Sequence, residues 1–355
     1  MNDKIKLHRN FWRGEGPSLI LIPPFNEELY DLNDYPSRFY DPGLMWESEM
    51  RRARSVINWP TDGIPTVRPN LGVITVPAMA GKSYILNEGS MPWPGQPLTR
   101  EEIRDIPMKD ITDTEIFRLV KDFYQIHRES GNDDVYLYLP DTEGVFDIAH
   151  ILYGDQLFYD VLDNDPDGWF MELMEISMNL YINATKSFKS LINEKSNYMV
   201  HGHGTEQGFM FPDTGVRVSE DTVLLLSPDI IEESIIPFIR RSVEPFGGGF
   251  LHFCGYHPTI FSQFSALSCI KAIDLGNPEK FEIKSILERC AETDTVLYSR
   301  VAGEPGESWR EYIQRIGSLV ASTGARVILR PKVFPETSEE CNEMLDIWHN
   351  LTSAR

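Results

Sequence analysis

Short apolar segments alternate along the chain with longer stretches in which apolar residues recur at helical spacing. Such segments predict buried strands, and they occupy residues 19–23, 72–77, 135–139, 198–201, 250–254, 271–275, 295–300 and 325–329. Strands that alternate with helices form a parallel sheet, and eight of them predict a closed (β/α)8 TIM barrel. We therefore expect an α/β barrel whose functional site lies at the C-terminal ends of its strands.

Two of the intervening stretches carry clear helix signals. Residues 167–192 repeat apolar side chains at a rough helical period. Ser227 followed by Pro228 and acidic residues is typical of a helix start, because serine caps the helix and proline fits its first turn. Both stretches fall between predicted strands, as the barrel requires.

The domain organisation follows from what the chain lacks. It shows no internal repeat, low-complexity tract or obvious linker. We therefore predict a single domain over residues 1–355, in which about residues 1–70 form an N-terminal decoration that includes the first strand. Residues 30–69, which are rich in proline and aspartate, are expected to form an insertion over the barrel mouth.

Charge and cysteine content narrow the class of protein. The chain has 33 Lys and Arg against 54 Asp and Glu, a formal net charge of −21, which argues against a nucleic-acid or membrane partner. No apolar run is long enough to cross a bilayer, and the first residues lack the apolar stretch of a signal peptide. Four cysteines in a chain of this length favour reduced thiols over a disulfide framework. The composition thus predicts a cytoplasmic enzyme.

The predicted strand at residues 250–254 carries the most informative chemistry. Its positions i and i+2 are His252 and Cys254, which must point to the same face of the sheet. An imidazole and a thiol side by side could form half of a zinc site, because zinc favours nitrogen and sulfur ligands. The alternative is a small apolar thiol and a hydrogen-bonded histidine that fill the core.

A series of short motifs follows the predicted strands in order along the chain. They are GVFDIA at residues 144–149, VSED at 218–221, LSPD at 226–229, HFCG at 252–255 and IDLGNP at 273–278. In this order they resemble the turns and strand ends of the uroporphyrinogen decarboxylase superfamily. That superfamily includes decarboxylases and the zinc methyltransferases that serve corrinoid-dependent methyl transfer. The resemblance covers nearly the whole chain and implies the same TIM barrel.

The chain departs from true uroporphyrinogen decarboxylases at two places. Those enzymes carry an arginine pair after the first strand, whereas residues 22–28 read IPPFNEE here. They also carry an aspartate after the second strand, whereas residues 76–82 read VPAMAGK. A tetrapyrrole with many carboxylates needs several cations, so uroporphyrinogen is not the expected substrate.

The methyltransferase branch accounts better for the fifth strand. There His252 and Cys254 match the first two zinc ligands of the family, which implies a metal-activated thiolate that exchanges a methyl group with a corrinoid. Asp274, 22 residues after His252, is a candidate third ligand on the next strand. The resemblance therefore implies Zn²⁺ held by His252, Cys254 and Asp274, and a corrinoid (cobalamin) carried by a partner protein.

The zinc ligand that the family takes from the last strand is missing, because residues 328–332 read ILRPK. His203 or Glu206 could replace it, although a glycine-rich strand end also holds histidines without a metal. Arg330 is a candidate anion-binding group, since a cation at this strand end points into the mouth. The expected catalytic residues are accordingly His252, Cys254, Arg330 and His203.

Further residues are expected to line the substrate pocket. They are Arg68, Asn70, Trp93, Glu206, Tyr256 and His257. Tyr256 and His257 directly follow the metal-like pair, whereas a tryptophan flanked by prolines, as at position 93, is often only a packing residue.

Three functions from different classes remain open. The first is a methyltransferase that moves a methyl group between a small molecule and a corrinoid through a metal at the barrel mouth. The second is a metal-free carboxy-lyase that acts on a carboxylated substrate other than a porphyrin. The third is a barrel without catalysis that binds a ligand or a corrinoid protein. Metal analysis separates the first from the other two.

Overall fold

The computed structural model describes residues 2–24, 35–162, 168–202 and 206–353. Its strands are β1 (Leu19–Ile20), β2 (Ile64–Val67), β3 (Tyr84–Ile85), β4 (Trp93–Pro94), β5 (Tyr136–Leu137), β6 (Tyr198–His201), β7 (Gln207–Pro212), β8 (Val216–Ser219), β9 (Gly249–Phe253), β10 (Ile270–Leu275), β11 (Val296–Ser299) and β12 (Val327–Leu329). Its helices are α1 (Asn2–Arg13), α2 (Tyr35–Phe39), α3 (Pro42–Arg54), α4 (Thr75–Met79), α5 (Arg100–Arg104), α6 (Glu115–Glu129), α7 (Val145–Tyr153), α8 (Gln156–Leu162), α9 (Trp169–Leu191), α10 (Pro228–Ile230), α11 (Ile236–Val243), α12 (Ile260–Ser265), α13 (Ile283–Thr293), α14 (Trp309–Thr323) and α15 (Ser338–Thr352).

Six strands form one parallel sheet in the order β1, β12, β11, β10, β9, β8. Side chains alternate between its two faces. Leu251 and Ile273 belong to the large apolar core shared with the helices, whereas Phe250 and Ala272 pack in a second cluster on the opposite face. The predicted parallel pairing of residues 250–254 with 271–275 is confirmed, because β9 and β10 are neighbours.

A second sheet has the order β5, β2, β7, β6. Its strands β2 and β5 are parallel, whereas β7 runs antiparallel to both β2 and β6. The prediction that residues 198–201 form the fourth parallel strand is therefore wrong, because this segment is one arm of a hairpin. The parallel position beside β9 belongs to β8, whose four residues are all buried.

The predicted strand at residues 72–77 is also wrong. This segment contains the start of helix α4, and the strand in this part of the chain is β2. The sequence did not predict β2, because the proline at position 65 argues against a strand. Val76 and Met79 of α4 are fully or almost fully buried in the core. A short apolar run is compatible with a strand or with a buried helix, so its hydrophobicity could not distinguish the two.

The two sheets approach each other at two edges. Between β1 and β2, the Asp62 backbone N–H donates to the Ile20 carbonyl over 3.0 Å. Beyond the end of β5, Asp141 Oδ1 accepts a hydrogen bond of 2.8 Å from Arg217 Nη1 of β8. The structure confirms an α/β fold with a parallel sheet. The sequence predicted one closed barrel. Within the described residues the strands instead form two sheets, which individual contacts join without a continuous series of strand-to-strand hydrogen bonds.

Helices pack against strands of both sheets. The helix signals in residues 167–192 and at Ser227 are confirmed by α9 and by α10, where Ser227 Oγ accepts from the Ile230 N–H. Helix α1 packs against β7, and α3 packs against β2 and α6. No helix in the described part of the chain combines the length and the apolar content needed to cross a membrane.

Asp62 ties the C-terminal helix α15 to the first strand. Its Oδ2 atom accepts a hydrogen bond of 2.8 Å from the Ile20 N–H and lies 3.0 Å from His349 Nε2 on α15. Burial alone would lower the pKa of His349, but the hydrogen bond and charge of Asp62 raise it above its usual value. A protonated His349 therefore contributes stability that is present below about pH 6.5 and lost as the pH rises through the elevated pKa.

We expect His349→Gln to lower the free energy of unfolding by roughly 1 kcal/mol at pH 6 and by much less at pH 9. Glutamine keeps a donor for Asp62 but carries no charge, so only the charged interaction is removed. Urea denaturation of wild type and variant at both pH values measures the difference. An equal loss of stability at pH 6 and pH 9 would contradict the role assigned to the charge of His349.

Candidate active site

Strand β9 delivers two polar side chains to the C-terminal edge of the parallel sheet. His252 is paired with Ser219 of β8 on one side and with Asp274 of β10 on the other. Cys254 follows the strand directly, and its Sγ lies 3.0 Å from His252 Nε2. The thiol and the imidazole therefore share one face, as their spacing predicts.

Asp274 holds the far side of the His252 ring. Its Oδ2 atom lies 2.7 Å from His252 Nδ1, and both side chains are buried. Burial alone would lower the pKa of His252, but the charge and hydrogen bond of Asp274, together with Cys254, raise it to about 10. Burial would raise the pKa of Asp274, but His252 shifts it below its usual value. Asp274 thus orients the ring so that Nε2 faces Cys254.

A third polar group comes from the turn after β8. Asp221 Oδ1 accepts a 2.6 Å hydrogen bond from the Cys254 backbone N–H and lies 3.6 Å from His252 Nε2. The turn itself is fixed by Asp147 of α7, which accepts from the backbone N–H groups of Asp221 and Thr222 over 2.7 and 2.8 Å. Burial and the nearby Asp221 raise the pKa of Asp147 to about 6.

Two glycines make room for this cluster. A Cβ atom at Gly276 would overlap the Cys254 Sγ, so a side chain there would displace the thiol. Gly255, two residues after the end of β9, has a φ of 112°, a conformation that residues with a side chain rarely adopt. Its N–H donates to Asn277 Oδ1 over 2.8 Å. The close approach of the β9 and β10 loops therefore depends on both glycines.

Asp221, His252 and Cys254 fit the requirements of a catalytic zinc site. One ligand atom from each residue lies within 4.8 Å of the other two. Two ligands of one tetrahedral zinc ion lie roughly 3.5 Å apart, which is close to the distances of His252 Nε2 from the other two groups. Three protein ligands also leave a fourth position open, as catalytic zinc requires. A carboxylate behind the metal-binding histidine, here Asp274, is the usual support of such a ligand.

The candidate ligands from the sequence occupy different places around this cluster. Asp274 lies on the Nδ1 side of His252, opposite the side shared by Cys254 and Asp221. Glu206 is buried and forms an ion pair of 3.6 Å with Arg52. His203 lies outside the described residues.

Two cations were expected to bind substrate, Arg330 and Arg68. The half-buried Arg330 interacts with the Tyr298 hydroxyl and with the carboxylates of Asp274 and Glu206, and these groups raise the pKa of Arg330 against the effect of burial. Arg68 lies 3.7 Å from Asp141 and covers the ring of Tyr138 at 5.6 Å. Both arginines are therefore engaged with groups of the protein itself.

The remaining predicted pocket residues are more scattered. Trp93 lies in the β3–β4 hairpin and is 64% exposed. The Asn70 carbonyl accepts from Tyr35, and the buried His257 bonds the Leu226 carbonyl through Nε2 over 3.1 Å. Tyr256 follows Gly255 and is 54% exposed, with its ring 5.2 Å from that of Phe281. Of these residues, Tyr256 lies nearest in sequence to the Cys254 thiol.

Sequence reasoning missed a buried ionic network beneath the cluster. Asp141 accepts from Arg217 and pairs with Arg68. Burial would raise the pKa of Asp141, but the two arginines lower it to about 2. Burial and the same arginines push the pKa of His201 well below its usual value, which keeps this histidine neutral. The available signal was an arginine inside the apolar strand β8 and charged residues shortly after β2 and β5.

Comparisons with known proteins extend this description. No known protein-family model matches the sequence, and no curated protein matches it. Among solved structures, a methyltransferase from Methanosarcina mazei is similar with a TM-score of 0.65. The match covers 98% of each chain at 13% sequence identity. The protein therefore shares its fold with a methyltransferase over nearly its whole length.

We expect Asp274→Asn to weaken zinc binding by roughly 10- to 100-fold, because the amide no longer orients and polarises the His252 ring as a carboxylate does. Asp229→Asn, on the exposed start of α10, is the matched control and should bind zinc like the wild type. Competition with a chromophoric chelator measures both affinities. Equal affinity in the Asp274 variant and the control would contradict this role.

Proposed function

We propose that this protein is a methyltransferase of the uroporphyrinogen decarboxylase superfamily. It moves a methyl group between a small molecule and a corrinoid carrier through a divalent metal, zinc in the first instance, held by Asp221, His252 and Cys254. The single observation that carries the proposal is the convergence of these three side chains at the C-terminal edge of the parallel sheet. Zinc, when bound there, would supply a Lewis acid that stabilises a thiolate at neutral pH.

The chain's own residues prepare the ligands before any metal arrives. Asp274 accepts the Nδ1 proton of His252, which directs Nε2 at the open side of the cluster. Because the pKa of His252 is raised to about 10, Nε2 carries a proton before a metal binds, and a metal would take the place of this proton. Asp147 fixes the backbone of Asp221, and the Cys254 N–H restrains the Asp221 carboxylate. Each ligand is thus held by a neighbour, and little conformational entropy remains to be lost on binding.

The edge of the cluster favours access by a large methyl carrier. Cys254 is exposed, and the Asp221 side chain retains 43% of its exposure. Leu225, 73% exposed, and Tyr256 add apolar surface on the two neighbouring loops. The corrinoid itself is inferred from the resemblance of the sequence, and the exposed thiol is compatible with it. The guanidinium of Arg330 is suited to bind a carboxylate or another anionic group of the small-molecule substrate.

A metal-free carboxy-lyase is the second candidate. The buried Arg68 and Arg217 and the half-buried Arg330 favour it, because guanidinium groups could hold a substrate carboxylate. The first two, however, already form ion pairs with Asp141. The third candidate is a barrel without catalytic activity that only binds a ligand or a corrinoid protein. Methyl transfer explains the His252–Cys254–Asp221 arrangement, which the other two functions do not require.

We expect Cys254→Ser to abolish both zinc binding and methyl transfer, because the thiolate is a ligand of the site. Cys269→Ser is the matched control, since this half-buried free cysteine lies before β10, at the opposite end of the strands from the thiol of Cys254. Zinc content after dialysis and demethylation of methylcobalamin in the presence of a small thiol are the measurements. Wild-type protein with less than about a tenth of an equivalent of zinc would contradict the proposal.

Uroporphyrinogen is expected to remain unconverted, because residues 22–28 contain no arginine and its carboxylates need several cations. Chromatography of the products after incubation with the purified protein tests this expectation. Formation of coproporphyrinogen at an enzymatic rate would contradict this expectation.

A further inference from the structure

A cleft of about 530 Å³ opens at the end of the molecule opposite the candidate active site. Its walls come from the end of helix α1, the turn after β7, and the segments that begin β10 and precede β11 and β12. These are the N-terminal ends of the parallel strands. The candidate metal site of Asp221, His252 and Cys254 lies at their C-terminal ends. The volume is within the range of small-molecule binding sites, about 300–1,000 Å³.

The cleft carries positive charge on a strongly acidic protein. Four cationic side chains line it together with two carboxylates, an excess of two positive charges in a chain of net charge −21: Arg9, Arg13, Lys271 and Arg326 against Asp213 and Asp294. This local excess favours an anionic ligand.

The cations in the cleft differ in how far they are already paired. Arg326 is engaged, since its Nη2 lies 2.6 Å from Asp294 Oδ1 and its Nη1 donates to the Trp12 carbonyl over 3.1 Å. Lys271 Nζ donates to the Ser268 carbonyl over 2.7 Å, which leaves its charge uncompensated. Within residues 2–24, 35–162, 168–202 and 206–353, no ion pair joins Arg9 or Lys271 to a carboxylate. These two exposed cations are available to a ligand.

Trp12 supplies a flat wall of fixed orientation. Its Nε1 donates to the Met210 carbonyl, and its ring lies 5.2 Å from Phe211 and 5.4 Å from Phe11. The indole is half-buried and cannot turn without losing these contacts. A fixed aromatic face beside several cations suits an anion that carries a planar ring, and cations alone suit an inorganic one.

We propose that this cleft is a second ligand site, separate from the metal-like cluster, that binds a phosphate-bearing ligand through Arg9 and Lys271. Arg13 and Arg326 also line the cleft, although each is already paired with a carboxylate, Glu15 at 3.9 Å and Asp294 at 2.6 Å. Trp12 lies where a planar group of an organic phosphate would stack. Arg9 belongs to α1 and Lys271 to β10, so a bound phosphate bridges the N-terminal helix to the parallel sheet. Binding therefore stabilises the attachment of α1 as well as occupying the cleft.

Calorimetric titration with inorganic pyrophosphate and with adenosine diphosphate tests the proposal on the full chain. Wild type should bind at least one of them saturably at low ionic strength. The double variant Arg9→Ala/Lys271→Ala should lose at least about tenfold in affinity, because two charge-assisted contacts are removed. The control Lys6→Ala removes an exposed cation of α1 outside the cleft and should bind like the wild type.

The two ligands distinguish the source of the phosphate. Tighter binding of adenosine diphosphate supports an organic phosphate whose ring lies on Trp12, and equal or tighter binding of pyrophosphate supports an inorganic one. A rise in melting temperature with ligand, absent in the double variant, is the second readout. Absence of saturable binding by both ligands, or equal affinity in wild type and double variant, would overturn the proposal.

Discussion

The contact of 2.7 Å between His252 Nδ1 and Asp274 Oδ2 joins the fold of this protein to its candidate chemistry. It can form because β9 and β10 pair in parallel with these two residues directly opposite each other. Both side chains are buried, so either one without the other would leave a desolvated charge or an unpaired ring. The contact also decides which nitrogen of His252 faces Cys254. A shift of β10 by one residue relative to β9 would turn Asp274 to the other face of the sheet and break this contact.

The two ends of the strands serve different purposes in this structure. At the N-terminal end, Asp62 connects β1 to α15, and α1 lies across β7. At the C-terminal end, short turns carry Asp221, Cys254 and their supports, with glycines where backbone or thiol needs space. This division is typical of barrels built from parallel strands, in which chemistry belongs to the loops that follow the strands. Because the cleft beside Trp12 and the candidate metal site lie at opposite ends of the strands, substitutions can change one site without changing the other.

Local sequence pattern predicted some parts of this arrangement and not others. The pairing of His252 with Cys254 follows from spacing on one strand, and the parallel pairing of β9 with β10 from the order of elements. Asp221 could not be found in this way, because it is 33 residues from Cys254 and its position depends on Asp147 of α7. Strand β6 was predicted as a parallel strand, although it forms an antiparallel hairpin with β7. A short apolar segment predicts a strand but not whether the strand runs parallel or antiparallel to its neighbour. Only tertiary contacts decide such cases.

The account rests on a metal held by Asp221, His252 and Cys254, and anomalous diffraction at the zinc absorption edge tests it most directly. Crystals grown with zinc should show one strong peak within about 2.5 Å of the Asp221 carboxylate, His252 Nε2 and Cys254 Sγ. Asp274 should remain on Nδ1 of the same histidine, outside the coordination sphere. A map with no peak at this cluster, or with the ion bound by Asp274 in place of Asp221, would contradict the account.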